Sequence, residues 1–239
     1  LLLFLRWMRS AACRMRSCKG EKKMNRITAI IFDLDGVICS TDEYHYRAWK
    51  QLADELHVPF DRAVNNRLRG VSRMESLEII LEQYHGPALS GEQKTTLAKH
   101  KNTIYRESLK AMTPADLSDE VKNTLDMLRS KGYLLGIGSS SKNTPFILER
   151  IGMDRYFDVV VDGNQISHSK PDPEVFLKAA KALRKTPEQC LVVEDAVSGA
   201  TAGHAGGFYV ACVGDASRAG AGDENLHSFS DLLQLSCLN

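Results

Sequence analysis

The run ITAIIF, residues 27 to 32, constrains the fold more than any other feature: six largely apolar, β-branched-rich positions that stop abruptly at Asp33. A continuous apolar run of that length reads as a strand buried on both faces of a parallel sheet. Similar runs recur at YLLGIG (133 to 138), FDVVV (157 to 161), CLVVE (190 to 194) and FYVACV (208 to 213), separated by helix-like stretches. Strands alternating with helices predict an α/β, doubly wound parallel-sheet core. Between the first two runs lie about a hundred residues with no strand-like pattern, too many for one crossover. That stretch needs a core of its own. Ser40 with Glu43, Ser72 with Glu75 and Ser90 with Gln93 have the capping-box spacing ahead of apolar positions at helical period. A small helical cap is therefore expected over residues 40 to 109, inserted into a core of 24 to 39 and 110 to 239 and joined to it by short hinges.

Residues 1 to 23 read differently, with an LLLFL patch, seven basic side chains and one acidic. In a secretory signal the basic residues come before the apolar patch, and here they follow it. Met24 lies just ahead of the first strand, so a wrongly extended start outside the folded body is the expectation. The whole chain carries a formal charge of +1 over 239 residues, and from Met24 onward 24 basic side chains face 29 acidic. That balance gives no global pull toward nucleic acid or an anionic membrane. No apolar run reaches the ~20 residues that span a bilayer. The six cysteines are scattered without a CxxC pair, so a reducing, cytoplasmic setting and the absence of a disulfide framework are expected.

The chemistry gathers at strand ends. Asp33 and Asp35 sit in F-D-L-D-G-V, two residues apart in an extended segment, and so project to the same side. In open α/β sheets the crevice beyond the strand carboxyl ends is where ligands bind. A solvated turn is the competing reading of Asp-x-Asp-Gly alone. Glu194-Asp195 ends another buried strand, and like charges gathered at one edge repel unless a cation compensates. Carboxylates are the hard ligands Mg²⁺ prefers. Ser139 ends the second strand, and Lys170 precedes P-D-P, where Asp172 is placed to cap a helix with Pro173 in its first turn. A cation, a lysine and a hydroxyl beside a free carboxylate make a phosphoryl-binding site in which the carboxylate can attack phosphorus. Asp33 is the expected nucleophile, and Asp35 handles the proton of the leaving or attacking hydroxyl.

The set D-x-D-G-V at 33 to 37, Ser139, Lys170-Pro171 and Glu194-Asp195, in that order, resembles the haloacid dehalogenase superfamily of phosphotransferases. Within it, F-D-L-D-G-V-I, E-Y-H-Y-R-A-W-K, L-R-G-V-S-R-M-E-S-L, A-K-H-K-N, S-S-S-K-N-T-P-F-I-L-E-R and S-K-P-D-P resemble the β-phosphoglucomutase family across essentially the whole body. The resemblance implies a cap that closes over a Rossmann-like core. It implies conversion of β-D-glucose 1-phosphate to D-glucose 6-phosphate through β-D-glucose 1,6-bisphosphate, with Mg²⁺ and that bisphosphate as cofactor and primer, and a monomer acting on a small sugar phosphate. By matched motif, Asp33, Glu194 and Asp195 are metal ligands, Asp35 gives the metal a backbone carbonyl, and Ser139 and Lys170 hold the transferring phosphate.

Lys101 follows Leu97 by four and precedes Tyr105 by four, which puts it on the apolar face of its helix. A stem that snorkels to solvent is the bland reading; the resemblance implies instead that it reaches toward the core and works with His45, which helps position Asp35. Arg73 and Asn143 are expected to hold the phosphate that is not reacting, an arginine fork suiting bidentate contact. Gly70, Arg69, Ser76 and Ser140 are placed along the sugar and phosphate face. Trp49 joins them in that region, with packing of the cap as its main expected role. Ser72 is read as a helix N-cap. Ser40, Arg69, Ser140 and Ala196 depart from the family pattern without removing a charge that phosphoryl transfer needs, and Arg69 and Ala196 leave a related hexose or disaccharide 1-phosphate open as substrate. A sugar-phosphate phosphatase on the same scaffold and a non-catalytic phosphate-sensing module are the competing functions.

Overall fold

The computed structural model describes residues 27 to 69 and 71 to 238. The extension at 1 to 23 and Gly70 therefore lie outside the described residues. The chain opens with β1 (Ala29–Phe32), passes through helices α1 (Asp42–Glu55), α2 (Arg62–Asn66), α3 (Arg73–Leu81) and α4 (Gly91–Leu109), then α5 (Asp119–Ser130), β2 (Leu134–Gly138), α6 (Thr144–Arg150) and β3 (Val159–Val161). It continues as α7 (Glu174–Ala182), β4 (Cys190–Glu194), α8 (Val197–Ala205), β5 (Tyr209–Cys212), α9 (Gly214–Arg218) and β6 (Glu224–Asn225).

All six strands are parallel, in the order β3-β2-β1-β4-β5-β6. The chain winds outward from β1 on one side, returns, and winds outward on the other, so the switch in direction falls beside β1, where such sheets leave a crevice. Register makes the crevice chemically coherent. Phe32 pairs with Ile137 on one side and Val193 on the other, so Asp33, Gly138 and Glu194 leave the sheet at one level. The ladder runs one residue further on each strand: Asp33 N–H donates to the Val193 carbonyl (2.9 Å) and Ser139 N–H to that of Val161 (3.0 Å).

Alternation within the strands feeds two cores. Ile30 and Phe32 of β1, with Leu135, Ile137, Leu191 and Val193, pack on Val121, Leu125 and Leu128 of α5 and Ile147 of α6. Ala29 and Ile31 face the other way, with Val192 and Val210, onto Val175, Phe176 and Ala179 of α7 and Ala200 of α8. The strands are buried on both sides, which explains their unbroken apolar sequence. The helical insert has a third cluster of its own, with Trp49, Leu52 and Ala53 of α1 packed among Val58, Phe60, Leu77, Ile80 and Ala98.

Ser72 and Ser90 form the capping boxes expected of them, with Glu75 and Gln93 reaching back to the cap amides at 2.8 Å. Ser40 does not. The first cap helix begins at Asp42 with Thr41 at the N-cap, and Glu43 is taken by Arg47 and Arg62, each at 2.8 Å. The helix placed after Lys170 starts one residue later than expected, at Glu174, whose amide donates to the Asp172 carboxylate at 2.9 Å. The two-residue β6 was not anticipated, since so short a segment has no periodicity to read. Cys39, Cys190, Cys212 and Cys237 are free thiols, and no described helix is long and apolar enough to cross a membrane.

A separate cluster in the insert makes its packing testable. Leu52 is fully buried there, and Leu52→Ala should cost about 2–5 kcal/mol, the usual range for such a truncation. Hydrogen exchange should then accelerate in residues 42 to 109 and stay slow in the strands. Uniform acceleration through the sheet would contradict the separate packing.

Candidate active site

The carboxyl edge of the sheet faces the helical insert across a cavity of about 540 Å³. Its floor is the acidic edge. Asp33 is held by the end of β1, and the chain then turns at Gly36 (φ +88°), which brings Asp35 up beside it. Gly36 has a second reason to be glycine: a Cβ there would lie 2.2 Å from the Asp195 carboxylate. Gly199 in α8 is constrained likewise, since a Cβ would fall 1.8 Å from Glu194 Oε1.

Lys170 enters this floor from the loop before α7, and its Nζ donates to Asp33 Oδ1 and Glu194 Oε1, each at 2.5 Å. All three side chains are buried. The other Glu194 oxygen accepts from the backbone amides of Asp195 (2.9 Å) and Ala196 (3.0 Å). Although burial works against it, the two carboxylates hold the Lys170 ammonium above its ordinary value. One ammonium does not balance the cluster. Burial, opposed by Lys170 and aided by the charges of Glu194 and Asp35, pushes Asp33 up to about 7; burial and the charges of Glu194 and Asp33 push Asp195 up to about 8. Asp33, Glu194 and Asp195 each offer an oxygen within 4.8 Å of the others. Surplus negative charge on converging hard oxygens suits a small divalent cation such as Mg²⁺.

Asp35 stands apart from that cluster. Its carboxylate accepts from the Thr41 hydroxyl, and burial raises it to about 6 despite that bond. Thr41 occupies the N-cap of α1. Its hydroxyl serves Asp35 where an N-cap would ordinarily bond its own helix.

The roof comes from the insert. Lys101 is buried, its Nζ 3.0 Å from His45 Nδ1 and 4.5 and 4.6 Å from the ring centres of Trp49 and Tyr105. Burial lowers both members of the pair, and so does the nearby Arg73 guanidinium. His45 lies against the Tyr105 ring, with 4.1 Å between centroids. Trp49 packs in the insert's core as expected and also borders the cavity. Arg73 and Ser76 line the cavity, and among the described residues no carboxylate is ion-paired with Arg73.

Ser139, Ser140 and Asn143 line the core side. Ser139 Oγ accepts from the Ser141 amide at 3.1 Å, and Ser140 Oγ from the Lys170 amide at 3.5 Å. Asn143 is bridged to the insert through both ends of its amide, donating to Asn102 at 2.9 Å and accepting from Arg106 at 3.3 Å. Arg69 points to carboxylates, pairing with Asp42 and with Asp215 at 2.7 Å. Sequence reasoning did not single out Asn102, Arg106, Asp42, Asp215 or the cavity-lining Lys142. The last lies inside the S-S-S-K-N stretch, and that neighbourhood was its one available signal.

A parallel sheet with a helical insert over an acidic strand edge, holding aspartates, a lysine and a serine around the carboxyl ends, defines an α/β enzyme with its site at the switch point of the sheet. The family model for haloacid dehalogenase-like hydrolases matches residues 27–207, and the chain belongs to that family. It is 39% identical over 207 residues to the β-phosphoglucomutase of Bacillus subtilis (strain 168), covering 85% of this chain and 91% of the relative. It is 30% identical over 182 residues to a phosphorylated carbohydrates phosphatase of Thermotoga maritima, covering 75% and 82%. Among solved structures, the β-phosphoglucomutase of Clostridium difficile matches with a TM-score of 0.80 at 34% identity, over 86% of this chain and 93% of that one.

Crowding at Gly199 yields a test of the acidic edge. Gly199→Ala should displace Glu194 and weaken Mg²⁺ binding about tenfold or more by calorimetric titration, with the far-ultraviolet circular dichroism unchanged. Unaltered affinity would mean that Glu194 is not held where the cation binds.

Proposed function

We propose that the chain is a mutase that interconverts β-D-glucose 1-phosphate and D-glucose 6-phosphate through a phosphorylated Asp33 and β-D-glucose 1,6-bisphosphate. The observation that carries this reading is the roof of the cavity: the insert places Lys101, His45 and Arg73 over the same space into which Asp33 and Asp35 project. A hydrolase needs only water to reach the phosphorylated carboxylate. A mutase needs a cover that excludes water and admits a sugar hydroxyl.

Asp33, Glu194 and Asp195, with the Asp35 backbone carbonyl, are the groups that would hold Mg²⁺, which when bound supplies charge balance for the phosphoryl oxygens. In the first half the 6-hydroxyl of β-glucose 1-phosphate attacks the phosphorus of phosphorylated Asp33, Asp35 takes the hydroxyl proton, and Asp33 is released as carboxylate with the 1,6-bisphosphate formed. The bisphosphate turns, Asp33 attacks the phosphorus at C1, the bond from phosphorus to the C1 oxygen breaks, and Asp35 returns its proton to that oxygen, which leaves glucose 6-phosphate and phosphorylated Asp33. Lys170 and the Ser139 hydroxyl meet the transferring phosphoryl oxygens. Arg73 and Asn143 take the phosphate at the far end of the sugar, Arg73 with a guanidinium free of ion pairs among the described residues. His45 and Lys101 border the cavity with Asp35 as a pair whose charged forms burial disfavours, and the Thr41 hydroxyl donates to the Asp35 carboxylate.

The phosphatase reading draws support from the Thermotoga maritima relative and from a fructose-1-phosphate phosphatase of Escherichia coli, 30% identical over 184 residues. One assay separates the two. With Mg²⁺, β-glucose 1-phosphate and a trace of the bisphosphate, the mutase yields glucose 6-phosphate. Inorganic phosphate released at a comparable rate would favour the phosphatase.

Two substitutions assign the roles. Asp33→Ala should abolish both turnover and phosphoenzyme. Lys101→Ala should reduce mutase turnover about tenfold to a hundredfold while leaving phosphorylation by a small donor such as acetyl phosphate much less affected. Equal losses in the two Lys101→Ala measurements would remove the argument from the cap.

A further inference from the structure

Arg69 lies in the segment between α2 and α3, on the insert, yet its guanidinium reaches three carboxylates on three separate elements. Nη2 pairs with Asp42 in the first turn of α1, and Nη1 with Asp215 of α9 at 2.7 Å and Asp195 of the acidic edge at 3.6 Å. Asp215 belongs to the core. Its other oxygen is held by Arg218, so the carboxylate is presented to the insert with its direction fixed from behind. The turn that carries Asp215 is also tied to the acidic edge, since Val213 N–H donates to the Glu194 carbonyl and Ala216 N–H to that of Asp195, both at 2.8 Å. A pull on Asp215 is therefore a pull on the backbone that positions Glu194 and Asp195.

The second bridge between insert and core is the Asn102–Asn143–Arg106 set, where the core partner is a neutral amide. Arg69 joins charges that are only partly withdrawn from water, with side-chain exposures of 28% for Arg69 and 43% for Asp215. Such a contact is screened by salt.

We propose that Arg69 and Asp215 form an ionic clasp across the mouth of the cavity, which positions the insert over the phosphorylated nucleophile and sets how often water, in place of a sugar hydroxyl, takes the phosphoryl group. Both terminal nitrogens of Arg69 are turned to carboxylates, which assigns the side chain to bridging. The partition between water and sugar rests on the mutase reading above; the clasp itself does not.

The test compares the Mg²⁺-loaded full chain with Asp215→Asn, which keeps the shape and removes the charge, with Arg69→Ala, and with the double variant. Two quantities are read: hydrogen exchange at the start of α1 and the end of α4, where the insert joins the core, and the ratio of inorganic phosphate to glucose 6-phosphate formed from β-glucose 1-phosphate with a trace of the bisphosphate. In Asp215→Asn both should rise roughly threefold to tenfold. Raising sodium chloride from about 0.05 to 0.5 M should move the wild type toward that variant and leave the variant nearly unchanged. The double variant should be no worse than Arg69→Ala for the part that Asp215 contributes. Asp215→Asn indistinguishable from wild type in exchange, or fully additive effects in the double variant, would overturn the clasp. Should the wild type form no glucose 6-phosphate from β-glucose 1-phosphate, the mutase reading fails, and the exchange and salt measurements still decide the clasp.

Discussion

Lys170 reaches across the carboxyl edge of the sheet to two buried carboxylates, Asp33 and Glu194, each 2.5 Å away, and the rest of the site is arranged around that contact. Removing one partner from a buried ion pair commonly costs about 3–5 kcal/mol, because the charge left behind has no water to face. The edge is unbalanced even with the lysine in place. Asp195 adds a third carboxylate, pushed up to about 8 by burial first and then by the charges of Glu194 and Asp33. The same imbalance that disfavours the empty edge prepares it for a cation and, with the cation, for a phosphoryl group.

Parallel register converts this local electrostatics into a usable geometry. Because Phe32, Ile137 and Val193 are aligned, Asp33, the Gly138 that precedes Ser139, and Glu194 emerge at one height, although they come from well-separated stretches of the chain. The insert supplies what the edge lacks. It brings a lysine, a histidine and an arginine over the cavity, and it is pinned to the core at Asn143 on one side and at Asp215 on the other.

The features legible in the sequence were those written in short-range pattern. Strands buried on both faces leave continuous apolar runs, and an acid that ends such a run, as at Asp33 or Glu194, is visible without any structure. Helical period put Lys101 on the apolar stripe of its helix, and the family resemblance, not the spacing, pointed it toward the core. The Thr41 hydroxyl was not, since a threonine ahead of a helix reads as a cap whether it bonds its own backbone or Asp35. Ser40 and Glu43 show the converse, a correct spacing in which the helix starts at Asp42 and Glu43 is held by Arg47 and Arg62. Arg69 and Asp215, 146 residues apart, carry no local sign of pairing; Arg69 reads as a residue of the sugar face and Asp215 as an ordinary charged surface residue. Their meeting depends on how the insert sits on the core, which no window of sequence encodes.

The account stands on Asp33 carrying the phosphoryl group. The most direct measurement is peptide mass mapping after rapid mixing with Mg²⁺ and β-glucose 1,6-bisphosphate and acid quenching, which preserves acyl phosphates. The phosphoryl increment should fall on the peptide containing Asp33 and disappear when hydroxylamine is added. An increment found instead on Ser139 or another hydroxyl, stable to hydroxylamine, would contradict the account.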